Sequence, residues 1–201
     1  MGEVENIEQF SRKAACDPDR FKAWLIDLLS DENKRKELAD ILPEVAELEG
    51  VGQRSDYHAE GDVLTHTRLT LEALPANCDE RLVWAALLHD IGKPATTNEQ
   101  NGTLRSPGHD VLGAEMAKEF LERSGRSDIA EDVFWLVRHH MFCLGWQIKG
   151  RKLTRRQQRF CQHPLFGLLV DLVRADARAS LGSNKETYLD RILDAHIQSR
   201  Q

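Results

Sequence analysis

Along nearly the whole chain, apolar residues recur at the three-to-four-residue spacing of a helix, and no segment alternates convincingly as a strand would. Asp17-Pro18 has the form of an N-cap followed by proline at the first helical position, and it predicts a helix through Leu29. A shorter helix is expected over Glu32 to Leu42, and Pro43 opens another that ends near Gly50. Residues 50–61 (GVGQRSDYHAEG) read as loop. Asp62 then caps a helix to about Leu74, and Asp79 or Glu80 starts a strongly apolar one running to His89-Asp90. Gly92, Pro94, Gly102, Pro107 and Gly108 mark a long irregular stretch. Helices resume over 110–124, 127–142, 153–162, 164–180 and 184–199, with Ser183 and Glu186 forming a capping box on the last. Trp84 and Trp135 fall at core spacing and read as packing. The predicted fold class is all-α.

Length and composition narrow this without redirecting it. A chain of 201 residues with 41% apolar and 30% charged residues can bury a core as one domain, here with a helical extension over residues 1–42. The longest uninterrupted apolar run, Leu82 to Leu88, is far short of the ~20 residues that span a bilayer. The opening Met1-Gly2-Glu3-Val4-Glu5 places acids where a signal peptide needs bases, so a soluble, cytoplasmic chain without a membrane partner is expected. Cys16, Cys78, Cys143 and Cys161 form no Cys-x-x-Cys pair, which removes the zinc-ribbon and redox readings.

Charge is uneven. The net −6 combines residues 1–60, with eight bases against fifteen acids, and Lys149 to Arg159, with six bases and no acid. The average argues against a protein that coats nucleic acid, and no DNA partner is expected. The basic segment reads as a solvated face, with contact to a tRNA-like RNA backbone as the sharper alternative.

Eight histidines is a high count, and their placement carries the chemistry. His66 lies in the helix after Asp62, His89 and Asp90 close an apolar helix, His109 opens the next, and His139-His140 end another. Asp176 sits among apolar positions in Arg174-Ala175-Asp176-Ala177-Arg178. Imidazole and carboxylate suit Mn, Fe, Ni, Co or Zn, and the carboxylates admit Mg. Ligands from several helices can meet in a bundle core where one helix cannot supply a full shell. A buried Asp at the end of a helix is costly unless paired, and a metal removes that cost.

This ordered set resembles the HD superfamily of metal-dependent phosphohydrolases, whose pattern H…HD…D is met by His66, His89, Asp90 and Asp176. The segments GVGQRSDYHAEGDVLTHT, AALLHDIGKPATT, GHDVLGAEMA and LVRHHM are similar to the HD domain that follows the nucleotidyltransferase core in bacterial CCA-adding tRNA enzymes. Residues 43–201 are thereby expected to form an HD helical bundle, standing alone because no nucleotidyltransferase head precedes it. Asp17-Pro18-Asp19 mimics a two-carboxylate motif but opens a helix, so nucleotide addition is not expected. Gly52 stands where that branch usually has proline. Neither the acidic pair of alarmone hydrolases nor the GYP signature of cyclic-di-GMP esterases follows the doublet.

The resemblance implies one or two divalent ions (Mn, Fe, Ni, Co or Mg) held by His66, His89, Asp90 and Asp176, with Asp90 bridging to a second ion on His109 and His140. It implies hydrolysis by a hydroxide formed on the ion, since a bound metal lowers the pKa of its water to about 7. Asp90, Lys93 and His58 are the catalytic candidates. Lys93, Glu60, Arg174 and Arg178 are the substrate-binding ones, the two arginines the weaker because they diverge from Asp176 on a helix. His139 reads as a supporting or solvent-facing residue, and His163 and His196 as exposed. The expected substrates are nucleotide or RNA-end phosphoesters: 2′,3′-cyclic phosphates or 2′- and 3′-phosphomonoesters. An RNA-binding module with vestigial activity and a deoxynucleoside monophosphate phosphatase are the alternatives.

Overall fold

A computed structural model describes residues 16–53, 61–146, 148, 152–180 and 184–198. Helix α1 (Pro18–Ser30) is followed by a single 3-10 turn (Glu32–Lys34), α2 (Arg35–Ile41) and the short α3 (Pro43–Ala46). Then come α4 (Val63–Glu72), α5 (Glu80–Leu88) and the one-turn α6 (Lys93–Thr96). After a hairpin of β1 (Asn98–Gln100) and β2 (Thr103–Arg105), the chain continues with α7 (His109–Arg123), α8 (Ser127–His139) and the short α9 (Phe142–Gly145). The last elements are α10 (Arg155–Phe160), α11 (Phe166–Ala179) and α12 (Lys185–Gln198). The all-α expectation holds, and no described helix is long and apolar enough to cross a membrane.

Start signals act where the sequence places them. Asp17 accepts from the Arg20 backbone N–H at 3.0 Å, Asp62 from Thr65 at 2.9 Å, and Asp79 from Arg81 at 2.9 Å. Each removes one of the orphaned donors of a helix start. Asp62 also accepts from Gly50 N at 2.7 Å, which ties the end of the α3 segment to the start of α4. Thr154 and Gln157 form a capping box on α10; the Ser183 cap expected on α12 lies outside the described residues.

α5 is the axis of the bundle. Its residues Leu82 to Leu88 are all buried, and α1, α4, α8 and α11 pack around it. Trp84 sits between Phe21 of α1 and Phe120 of α7, with ring centroids at 4.8 and 6.0 Å. A continuous apolar run therefore means a helix covered on all sides. Phe21, Leu25, Leu28 and Leu29 join the same core, so α1 packs into the bundle.

One expectation needs correction. The irregular stretch contains a two-stranded antiparallel hairpin in which Asn98 pairs with Arg105 and Gln100 with Thr103. Asn101 and Gly102 turn it with φ of 53° and 73°, the backbone that a two-residue turn requires. The strands are short, polar and mostly exposed, so they carry no apolar alternation to read.

Candidate metal centre

Five helices deliver six side chains to one buried point. His66 projects from α4, where the hydroxyls of Thr67 and Thr70 bond back to Val63 O and His66 O, both at 2.9 Å, so that this face carries no unsatisfied polar group. His89 caps the C-terminus of α5 and Asp90 begins the turn after it. Because the helix ends there, two consecutive side chains can converge, which a continuing helix would prevent. His109 is the first residue of α7, set by Gly108 in the left-handed conformation (φ 76°). His140 caps the C-terminus of α8, and Asp176 lies in α11. All six are buried.

The donor atoms form two groups: His66, His89 and Asp176, and then Asp90, His109 and His140. In the first, His66 Nε2 is 3.2 Å from Asp176 Oδ1 and 3.4 Å from His89 Nε2. In the second, His109 Nε2 is 3.2 Å from His140 Nε2 and 3.4 Å from Asp90 Oδ1. Asp90 joins them, since its Oδ2 lies 3.1 Å from His89 Nε2.

Three of the rings are oriented from behind. His89 Nδ1 meets Ala86 O at 2.9 Å, His109 Nδ1 meets Ser106 O at 2.7 Å, and His140 Nδ1 meets Val137 O at 2.7 Å. A carbonyl can only accept, so Nδ1 carries the proton and Nε2 presents a lone pair inward. Burial pushes the pKa of His140 well below the ordinary imidazole range, with His109 and His89 adding to the effect. It also lowers that of His109, although the Asp90 charge opposes it. Both are neutral at pH 7.

The carboxylates stay ionised. Burial alone would raise Asp90 and Asp176, but the groups beside them override it, His89 and Lys93 at Asp90 and Lys185 and His66 at Asp176. Lys93 Nζ stands 2.7 Å from Asp90 Oδ2 and donates to Gln53 Oε1 at 2.6 Å. Asp90 Oδ2 nevertheless accepts no well-formed hydrogen bond, although it is buried. An ionised, under-satisfied oxygen among inward imidazole lone pairs is what a divalent cation satisfies, so the residues fit a metal ion.

The other expected residues are divided. Lys93 is at the site; His58 and Glu60, with Lys149 and Arg151, lie outside the described residues. Arg174 pairs with Glu186 and Asp190, and Arg178 with Glu186, so both are tied to α12, and neither lines the cavity. His139 turns away to the rings of Trp135 and Phe160. His163 and His196 are half-buried and not exposed: His163 stacks on Trp135 at 3.8 Å, and His196 lies edge-on to Phe166.

Two contributors were not anticipated. Lys185, at the start of α12, is buried and ion-paired with Asp176. Gln53 holds Lys93 from the other side. Lys185 reads in sequence as an ordinary charged residue in a helix's first turn, and only the packing of α12 on α11 carries it to Asp176. A cavity of about 810 Å³ opens from the cluster, reaching from Asp90, His109 and Asp176 to Trp146, Tyr188 and Arg191.

Comparison with known proteins places most of this site within one family match. A family model described as the HD domain matches residues 62–165. The multifunctional CCA protein of Halorhodospira halophila is 41% identical over 106 residues, which are 52% of this chain and 25% of that protein. Those of Alkalilimnicola ehrlichii and Paraburkholderia phymatum are 35% and 32% identical, over 75% and 81% of this chain. This chain spans 38% and 40% of their lengths.

Proposed function

The chain belongs to the HD domain family, a superfamily of metal-dependent phosphohydrolases, and from that membership we propose that it hydrolyses nucleotide or RNA-end phosphoesters, either 2′,3′-cyclic phosphates or 2′- and 3′-phosphomonoesters. The observation that carries this is the pair of adjoining buried His/Asp groups, of which Asp176, Asp90, His109 and His140 line a cavity with Lys93 and Lys185. Similarity to multifunctional CCA proteins supports a nucleotide-bearing substrate and a tRNA-like partner. The hydrolase unit is assigned to residues 43–201, with residues 1–42 as a helical extension.

His66, His89, Asp90 and Asp176 would hold one divalent ion, and Asp90, His109 and His140 a second. A bound ion supplies Lewis acidity and a water of lowered pKa. The protein's own groups do the rest. Lys93 reaches a non-bridging phosphate oxygen, held for that task between Asp90 and Gln53. Lys185 offers a second positive charge from the Asp176 side, and the two ammonium groups neutralise charge that grows on the phosphoryl oxygens.

The test is a phosphoester panel with Mn, Ni, Co or Mg added, run on wild type and on Asp90→Ala. Metal-dependent turnover of a cyclic phosphate or a 2′- or 3′-ester, absent in the variant, is expected. Turnover of deoxynucleoside 5′-monophosphates alone, or of nothing, rejects the assignment.

A second reading concerns RNA binding. Arg155, Arg156 and Arg159 of α10 are exposed and pair with no described carboxylate. They support contact with an RNA backbone, which predicts binding that weakens steeply with salt and survives Asp90→Ala.

A further inference from the structure

The cavity has two chemically different parts. Its floor is Asp90, His109, His140 and Asp176 with Lys93 and Lys185, and its wall includes Leu144, Trp146 and Tyr188. A volume of about 810 Å³ is far more than a phosphate group fills and matches sites that enclose a whole small organic ligand. Five large apolar side chains stand exposed on the described surface, and two of them, Leu144 at 46% and Tyr188 at 43%, line this one cavity. Exposed apolar surface gathered beside a polar floor marks a binding wall and not leftover core.

Charge fixes the kind of occupant. Lys93, Arg105, Lys185 and Arg191 line the cavity against two carboxylates, Asp90 and Asp176, both in the ligand set. Arg105 and Arg191 have no carboxylate partner among the described residues, in a chain whose net charge is −6. The Arg191 guanidinium lies 6.0 Å over the Tyr188 ring, so the aromatic wall carries positive charge beside it. An anion attached to a flat, apolar ring meets all of these features.

We infer that the wall of Tyr188 and Trp146 is a stacking platform for the nucleobase of the ester under attack, reading the presence of a base and tolerating its identity. The inference rests on the phosphoester reading for the floor of the site. Base-on-aromatic stacking is tolerant of sequence because every base has a π-face. Trp146 is held edge-on by Phe142 and Phe160, at 5.1 and 5.3 Å between centroids, so one half of the platform is braced by the core. Tyr188 lies outside the core and can be replaced without opening it.

The test is equilibrium binding to the full Mn-loaded chain. The probes are adenosine and cytidine 3′-phosphonates, in which a methylene replaces the ester oxygen so that nothing turns over, and the base-free ribose analogue. Both nucleoside probes should bind about tenfold or more tightly than the base-free one, and within a few-fold of each other. Tyr188→Ala should remove most of that advantage, and Tyr188→Phe should keep it. Equal affinity for the base-free probe, a tenfold preference between the two bases, or an unchanged advantage in Tyr188→Ala overturns the platform. A trinucleotide ending in the same phosphonate separates sources, since tighter binding than the mononucleotide assigns the platform to RNA ends and weaker binding to free nucleotides. Base-dependent binding without turnover of any ester would refute the hydrolytic reading and leave the platform standing.

Discussion

Gly92 and Gly113 meet backbone to backbone: a Cβ on Gly92 would lie 2.7 Å from Gly113 N and 2.4 Å from His109 O. Neither glycine has a positive φ, so the requirement is for space and not for conformation. The contact presses the turn after His89-Asp90 against the start of α7, and so sets the 3.4 Å approach of His109 to Asp90. Gly92→Ala must therefore force the two segments apart, at a cost of roughly 3 kcal/mol. Urea denaturation should show that loss, together with weakened metal binding; a stability within 0.5 kcal/mol of wild type, as for an ordinary surface change, would contradict the packing.

Asp90 faces both donor groups, whereas His140 belongs to one. His140→Ala should lower the metal content by one ion per chain, and Asp90→Ala should abolish it. Elemental analysis of protein purified without chelator reads this directly. Turnover of a phosphoester substrate should fall on the order of a hundredfold or more in Asp90→Ala.

Lys185 supplies the counter-charge of Asp176 in a buried setting. Lys185→Met should destabilise the metal-free protein by about 3 kcal/mol, the usual result of stranding one member of a buried pair. With a divalent ion bound, the lost counter-charge is replaced and the penalty should shrink. Unfolding curves with and without chelator make the comparison, and an identical loss in both would disprove the role.

Asp62 predicts an acid dependence. Burial raises its pKa, but the backbone N–H groups of Gly50 and Thr65 outweigh that and leave it below the ordinary 3.8. A depressed carboxylate contributes stability that is complete above its unfolded pKa and lost as pH falls through the folded one. Asp62→Ala should cost about 1 kcal/mol at pH 7. The gap to wild type should close in denaturation series run below pH 3.8.

The helices were legible because Asp17, Asp62 and Asp79 mark their starts and a single run from Leu82 to Leu88 marks the axis. The cluster was legible through order: His66, His89-Asp90, His109, His140 and Asp176 fall at helix ends or on buried helix faces. What escaped was long-range. The hairpin hides in polar residues, with only Asn101-Gly102 to announce it. Lys185 looks solvated until α12 is laid on α11, and Gln53 gains meaning only when Lys93 arrives beside it. Arg174 and Arg178, close to Asp176 in sequence, are turned outward by the same helical period that turns Asp176 in.

His89, His109 and His140 each bond back to a carbonyl three residues earlier, so His89 and His140 are aimed by the last turn of their own helices and His109 by the loop that leads into α7. Rotating any of those helices by one residue would swing its imidazole by about 100°. The centre thus acts as a gauge of tertiary order. A loosened state that kept its helices would surrender the ion, and no fragment with fewer than all five contributing helices would hold the whole set. Ion affinity and the cooperativity of the bundle are one quantity seen from two sides, so substitutions far from the cluster that soften the core around Trp84 should register first as lost metal.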